Sequence, residues 1–184
     1  MNNILLSILI PTYQRGSFLE KNLLWLNDFF KNHQDDTKIE LLVYDNNSND
    51  DTEIIVKNYM ETYPIPLVYK KQETNIGLEN NALECLRDAK GEYVMFLGDD
   101  DYLSNNYLNM VLEIINKQKD IFCMLPSRSI IFPDGSTSPG RDFCNHLHKK
   151  TFSPGFRNVL INARKGGQLS GVVNKKEGVY DTYR

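Results

Sequence analysis

Cysteine is scarce in this 184-residue chain, and the residues Cys85, Cys123 and Cys144 form neither a CxxC pair nor a Cys/His ligand pattern. That excludes a disulfide scaffold or a zinc ribbon and fits a reducing cytoplasm. A basic surplus is also missing: 21 Lys and Arg stand against 24 Asp and Glu, a formal net charge of -3. A nucleic-acid binder is therefore not expected, because nothing would neutralise a phosphate backbone. No apolar run is long enough to span a bilayer; the longest, residues 4–10, reads as a buried strand, so no transmembrane segment is expected. No GxGxxG follows that strand and no P-loop occurs, which removes dinucleotide-binding and P-loop enzymes. A phosphatase with a nucleophilic aspartate would carry it after the first strand, where none stands.

What remains is an ordinary globular balance, 41% hydrophobic and 24% charged, long enough to bury a core without staples. Short β-rich runs alternate with helical patterns over the first hundred residues, the signature of an α/β fold with a mostly parallel sheet flanked by helices. Strands are expected at residues 4–10, 39–44, 67–69, 93–97 and 121–125. Helices are expected at 17–31, with Ser17 as N-cap, and at 52–63, 78–89 and 106–117. Beyond Pro126 the pattern loosens. Pro133-Asp134-Gly135 reads as a turn between two strands and 136–155 as a loop, followed by a short helix at 156–163 and a strand at 169–173. His33, His146, His148 and the pairs Lys149-Lys150 and Lys175-Lys176 read as surface, and Trp25 as core.

Parallel strands deliver their C-terminal ends to one sheet edge, where ligands of open α/β sheets bind. Strand one delivers Pro11 to Arg15, strand two Asp45-Asn46-Asn47, and strand four Asp99-Asp100-Asp101. Three consecutive carboxylates after a buried strand are costly unless a cation is present. Mg²⁺ or Mn²⁺ uses one or two carboxylates and leaves its other positions to water and phosphates. The bland alternative is an acidic loop capping the next helix. For Asp45 the alternative is ordinary turn chemistry.

Taken together the three segments resemble family 2 glycosyltransferases of the GT-A fold. Ser7-Ile8-Leu9-Ile10-Pro11-Thr12-Tyr13-Gln14-Arg15 is similar to their first-strand motif ending Pro-Thr-Tyr-Asn-Arg, with Gln14 replacing Asn. Leu41 to Thr52 resembles a strand ending in Asp and continuing Asn-x-Ser-x-Asp-x-Thr. Gly91 to Asp101 resembles the segment carrying the Asp-x-Asp signature, with Gly98 where the common form has its first acid. Asn75-Ile76-Gly77 matches an Asn-x-Gly loop, but the arginine that follows in many relatives is absent.

The resemblance implies an inverting, metal-dependent enzyme of hexosyltransferase type. It would move a sugar from a nucleotide-diphosphate sugar, a UDP-sugar first, to a saccharide or glycolipid acceptor in bacterial cell-surface polysaccharide synthesis. Pro11, Thr12, Tyr13, Arg15, Asp45, Asn47, Asn75, Gly77 and Asp99 would bind the nucleotide, with Thr12, Tyr13, Arg15 and Asp45 at its base and Asp99 at ribose or diphosphate. Asp100 and Asp101 would hold Mn²⁺ or Mg²⁺, which assists departure of the diphosphate. Residues 1–125 would form the donor-binding part and 126–184 the start of the acceptor side. The acceptor's base is expected beyond Arg184, so the chain would be an incomplete enzyme; a non-catalytic nucleotide-sugar-binding module is the rival reading. The expected location is the cytoplasm, with peripheral association at the inner face of the cell membrane.

Overall fold

The structure is a computed structural model that describes residues 4–31, 38–63, 66–118, 121–127, 129–139, 170–177 and 179. It falls into two compact units, Met1–Met124 with Leu169–Arg184, and Leu125–Gln168. The first holds a six-stranded sheet in the order β3-β2-β1-β4-β8-β5. Its strands are β1 (Leu6–Thr12), β2 (Ile39–Asp45), β3 (Leu67–Lys71), β4 (Tyr93–Phe96), β5 (Cys123–Met124) and β8 (Val173–Lys175). Pairs β1 to β2, β1 to β4 and β2 to β3 are parallel, while β8 runs antiparallel to β4 and β5. The expected mostly parallel α/β sheet is what forms.

Parallel strands are covered on both faces, so the central ones read as continuous apolar runs rather than alternating ones. In β1, Leu6, Ile8, Leu9 and Ile10 are all fully buried. Alternate residues go to opposite faces. Ile8, Ile10, Leu41 and Val43 join a cluster with Leu19, Leu23 and Leu26 of α1 (Gly16–Lys31), Val56 and Tyr59 of α2 (Thr52–Thr62) and Leu108, Val111 and Ile115 of α4 (Asn105–Lys117). Leu9, Leu42, Tyr44 and Val94 join Cys85 and Leu86 of α3 (Leu78–Asp88) on the other face. Trp25, partly buried, packs against the first cluster.

Several boundaries differ from expectation for identifiable reasons. Ser17 is not the N-cap of α1: the helix begins at Gly16, the first turn closes on the Arg15 carbonyl, and the Gly16 amide donates to Asp50 Oδ2 at 3.0 Å. Asp50 also accepts from the Thr52 amide at 3.2 Å, so one carboxylate ties the starts of α1 and α2 together. The last strand is Val173–Lys175 rather than 169–173 and is inserted between β4 and β5. There Lys176 is no solvated lysine: its ammonium donates to the Arg87 and Ala89 carbonyls at the end of α3, where a cation is favoured.

In the second unit β6 (Ser129–Ile131) and β7 (Thr137–Pro139) pair antiparallel. Part of the expected loop 136–155 is thus a strand. The turn is the predicted one, with Gly135 at φ 80° and Asp134 accepting from the Ser136 amide at 2.9 Å. The remainder of that loop, the helix expected at 156–163, His33, His146, His148, Cys144 and Lys149-Lys150 lie outside the described residues.

Candidate functional site

Strand order reverses at β1: the chain moves outward through β2 and β3, then returns to place β4 on β1's other side. The crevice of an open α/β sheet opens at such a switch point. The ends of β1 and β4 are therefore neighbours, and Asp99 meets Thr12 across 87 residues of sequence, with Thr12 Oγ1 donating to Asp99 Oδ2 at 2.8 Å. Arg15 reaches the same place. Its Nε lies 2.8 Å from Asp99 Oδ1, a charge contact rather than an aligned hydrogen bond, and its Nη2 pairs with Asp100 Oδ2. The guanidinium is stacked 4.8 Å above the Phe18 ring.

Asp99 is buried and Asp100 exposed. Burial pushes the Asp99 carboxyl above the ordinary carboxylate range despite the opposing Thr12 hydroxyl and Arg15 charge. The folded protein thus binds this proton more tightly than the unfolded chain does, so the group lowers stability as pH rises through its titration and leaves a deficit at neutral pH. Asp99→Asn is accordingly expected to melt no lower than the parent at pH 7. Any advantage should vanish as the pH falls below the ordinary aspartate value, about 3.9. Thermal melts of both proteins from pH 3 to 8 check this; an Asn variant that is less stable at pH 7 would refute it.

The acidic segment does not cap the following helix. Ser104 does, accepting from the Tyr107 amide at 3.1 Å. Asp99 to Asp101 instead form a turn closed by the Asp101 amide on the Gly98 carbonyl at 3.1 Å. Buried Asn22 of α1 staples that turn, its amide donating to the carbonyls of Gly98 at 3.0 Å and Asp101 at 2.7 Å. Gly98 is held from below by the Ser170 hydroxyl, which accepts from its amide at 2.7 Å.

Gly98 lets three oxygens crowd against the turn: a Cβ there would lie 2.8 Å from Asp101 Oδ2, 3.1 Å from Ser170 Oγ and 3.3 Å from Asp100 Oδ1. The carboxylates of Asp100 and Asp101 thus lie on one side of the Gly98 backbone, and one or two carboxylates are what Mg²⁺ or Mn²⁺ takes from a protein, with water and phosphate oxygens completing its shell. Among the described residues no group of three or more His, Cys, Asp or Glu is arranged to hold a metal, so the donor chemistry fits an ion held by two carboxylates and not a closed protein cage.

The end of β2 is built differently. Asp45 is fully buried, and its carboxylate accepts from the Ser48 amide on Oδ1 and the Tyr69 hydroxyl on Oδ2, each at 2.8 Å. Burial, and then that bond to Asp45, push the Tyr69 phenol well up. Ser48 passes the link on, its hydroxyl accepting from the Gln14 amide at 2.7 Å, and the Asn46 amide donates to the Thr12 carbonyl at 2.9 Å. Gln14 and Asn47 both sit in the left-handed region, at φ 53° and 65°. Asparagine tolerates that conformation better than other side chains, which accounts for Asn at the position Gln14 fills in the motif.

Asn46 also reaches the Asn75 loop. Its amide donates to Asn75 Oδ1 at 2.9 Å, and its Oδ1 accepts from the Ile76 amide at 2.8 Å. Gly77 has φ 83° and ψ 158°, a backbone only glycine adopts freely, and no atom lies within 4 Å of its would-be Cβ. Its need is conformational rather than steric. Pro11, Thr12 and Tyr13 lie at the β1 end, with Tyr13 exposed.

All the residues read from the sequence lie at the C-terminal ends of β1, β2 and β4 or on the loop after β3. Asn22, Ser48, Tyr69 and Ser170 were not among them, and Asn46, placed at the β2 end, was given no contact. A polar residue between Leu19 and Leu23 on an apolar helical stripe was a signal for Asn22. Nothing in the sequence marks Ser170.

Among the solved structures this fold superposes on are glycosyltransferases of the GT-A fold. The chain belongs to glycosyl transferase family 2, whose model matches residues 7–170. Among characterised relatives, abequosyltransferase RfbV of Salmonella typhimurium is 33% identical over 119 residues, 65% of this chain and 35% of that protein. The crystal structure of Staphylococcus aureus TarS 1-349 in complex with UDP-GlcNAc superposes with a TM-score of 0.71 at 24% identity, over 98% of this chain and 48% of that one. The Pyrobaculum calidifontis mannosyltransferase PcManGT, solved with GDP-Man and Mn²⁺, superposes with a TM-score of 0.58 at 22% identity, over 67% of this chain and 35% of that one. The chain spans about a third of the length of the first curated relatives it matches. No helix among the described residues is long and apolar enough to cross a membrane.

Proposed function

We propose that this chain carries the donor-binding part of an enzyme that transfers a hexose-type sugar from a UDP-sugar to a hydroxyl of a saccharide or glycolipid acceptor. The process served would be synthesis of a bacterial cell-surface polysaccharide such as a capsule or lipopolysaccharide. The observation that carries this reading is the meeting of Thr12, Arg15, Asp99 and Asp100 at the switch point, with the Asp100 and Asp101 carboxylates on one side of Gly98. Family membership supplies the reaction class, and the TarS complex with UDP-GlcNAc supports the choice of donor.

On this reading Asp100 and Asp101 hold Mn²⁺ or Mg²⁺, and Asp99 contacts the ribose or diphosphate. What a bound ion supplies is neutralisation of the charge on the departing diphosphate. Thr12, Tyr13 and Asp45 form the base end, Pro11, Arg15 and Asn47 also bind the nucleotide, and Asn75 and Gly77 shape the loop over it. Residues 1–125 form the donor part, to whose sheet and site β8 and Ser170 also belong, and the rest of 126–184 leads into the acceptor side. Cytoplasmic placement, at the inner membrane face for a lipid-linked acceptor, belongs to the same proposal.

Calorimetry of UDP and GDP with and without Mn²⁺ tests the reading. Micromolar binding of a nucleoside diphosphate that strengthens with Mn²⁺ is expected. A protein that binds no nucleotide under either condition sinks it.

A further inference from the structure

Arg15 stands at the end of β1, yet its guanidinium is spent on the acidic turn, where it bridges Asp99 and Asp100. It approaches Asp100 through Oδ2, while Oδ1 of the same carboxylate lies on the Gly98 side with Asp101 Oδ2 and Ser170 Oγ. Asp100 is therefore shared between a resident cation and the divalent ion it is proposed to hold with Asp101. The Arg15 Nε lies 2.8 Å from Asp99 Oδ1 without aligned hydrogen-bond geometry, so charge is the larger part of its hold on Asp99. The helix after the Asn75 loop offers no cation in its first two turns: it opens Leu78-Glu79-Asn80-Asn81, and the amide groups of Asn80 and Asn81 are used on the Ile76 and Tyr44 carbonyls. A diphosphate arriving here has no cationic partner in the first two turns of that helix.

We infer that Arg15 is an exchangeable counter-ion: it neutralises Asp99 and Asp100 in the empty protein, yields Asp100 to the divalent ion, and turns its freed nitrogens to the donor's diphosphate. The inference rests on the metal and nucleotide reading above. Two charges cannot occupy one carboxylate without mutual repulsion, so the resident guanidinium weakens binding of the metal alone. A planar guanidinium also suits two phosphate oxygens at once, which an ammonium does not. The residue thus opposes the ion in the absence of nucleotide and supports the nucleotide when it comes.

The consequence is a pair of changes in opposite directions. In Arg15→Gln, Mn²⁺ alone, followed by its electron paramagnetic resonance signal, should bind on the order of tenfold more tightly than in the parent. UDP without metal, followed by calorimetry, should bind on the order of tenfold more weakly. Arg15→Lys keeps the charge and should hold Mn²⁺ affinity near the parent value while failing to restore UDP binding fully. A residue that merely shaped the loop would weaken both ligands. On the parent protein, the Arg15 Nε resonance should move when Mg²⁺ is added and move again with UDP, a measurement that needs no variant to fold. Mn²⁺ affinity in Arg15→Gln no higher than in the parent, or an Arg15 resonance indifferent to saturating Mg²⁺, overturns the inference. A parent that binds neither Mn²⁺ nor UDP overturns the proposed function itself.

Discussion

Replacing Asp100 by alanine is expected to cut the Mn²⁺-supported affinity for UDP on the order of a hundredfold, about 2.7 kcal/mol, with little effect on folding. The two halves of that expectation have separate causes. Asp100 is 48% exposed at its side chain, and its ion-pair partner Arg15 is 40% exposed. A pair that open to water contributes about 1 kcal/mol or less to stability, so the melting point should move by no more than roughly 4 °C in a chain of this size. For a cation held by Asp100 and Asp101, by contrast, Asp100 is one of the two carboxylates proposed to bind it, and its Oδ1 lies on the same side of Gly98 as Asp101 Oδ2. Losing it halves the anionic donors. Calorimetry of UDP with and without Mn²⁺, beside a thermal melt, checks both halves. A variant whose UDP affinity still rises with Mn²⁺ as the parent's does would remove Asp100 from the metal's ligands.

The sheet and its order were legible because burial on both faces demands continuous apolar strands, and polar turn residues punctuate them. Legible for the same reason was the convergence of Thr12, Asp45 and Asp99, since it follows from parallel strands alone. Hidden were the interactions that depend on which side chain reaches which atom. Nothing in residues 11–15 says that Arg15 turns toward β4; that follows from the Asp99 carboxylate beside Thr12 and the Phe18 ring beneath the guanidinium. Tyr69 reads as one more β-strand aromatic, and only the register of β2 on β3 brings its hydroxyl to Asp45. The strand β8 was misplaced because three residues, Val173 to Lys175, carry too short a pattern to fix a boundary, and its antiparallel insertion between β4 and β5 has no local signature. Gly98 was legible as a departure from the motif. Its meaning, space for the oxygens of Asp100 and Asp101, was not.

Asp45 carries the largest expected effect on folding, and its variants separate a structural role from a recognition role. In Asp45→Ala the Ser48 amide loses its acceptor in a buried place, and the partly buried Tyr69 hydroxyl loses the same acceptor. Each orphaned donor costs about 1–3 kcal/mol, and a loss of about 2–5 kcal/mol lowers the melting point by roughly 5–15 °C. Release of Ser48 also loosens the Gln14 amide it holds, so UDP binding should fall with stability. Asp45→Asn behaves differently. Its amide oxygen can still accept from Ser48, and its NH₂ can donate to the Tyr69 oxygen, because a phenol accepts as readily as it donates. Most of the lost stability should therefore return. The anionic acceptor proposed for the base does not return with it, so UDP affinity should stay well below the parent's. Thermal melts and UDP calorimetry on the two variants decide the matter: stability and UDP binding recovering together in Asp45→Asn would make Asp45 a scaffold residue and place the base contact elsewhere.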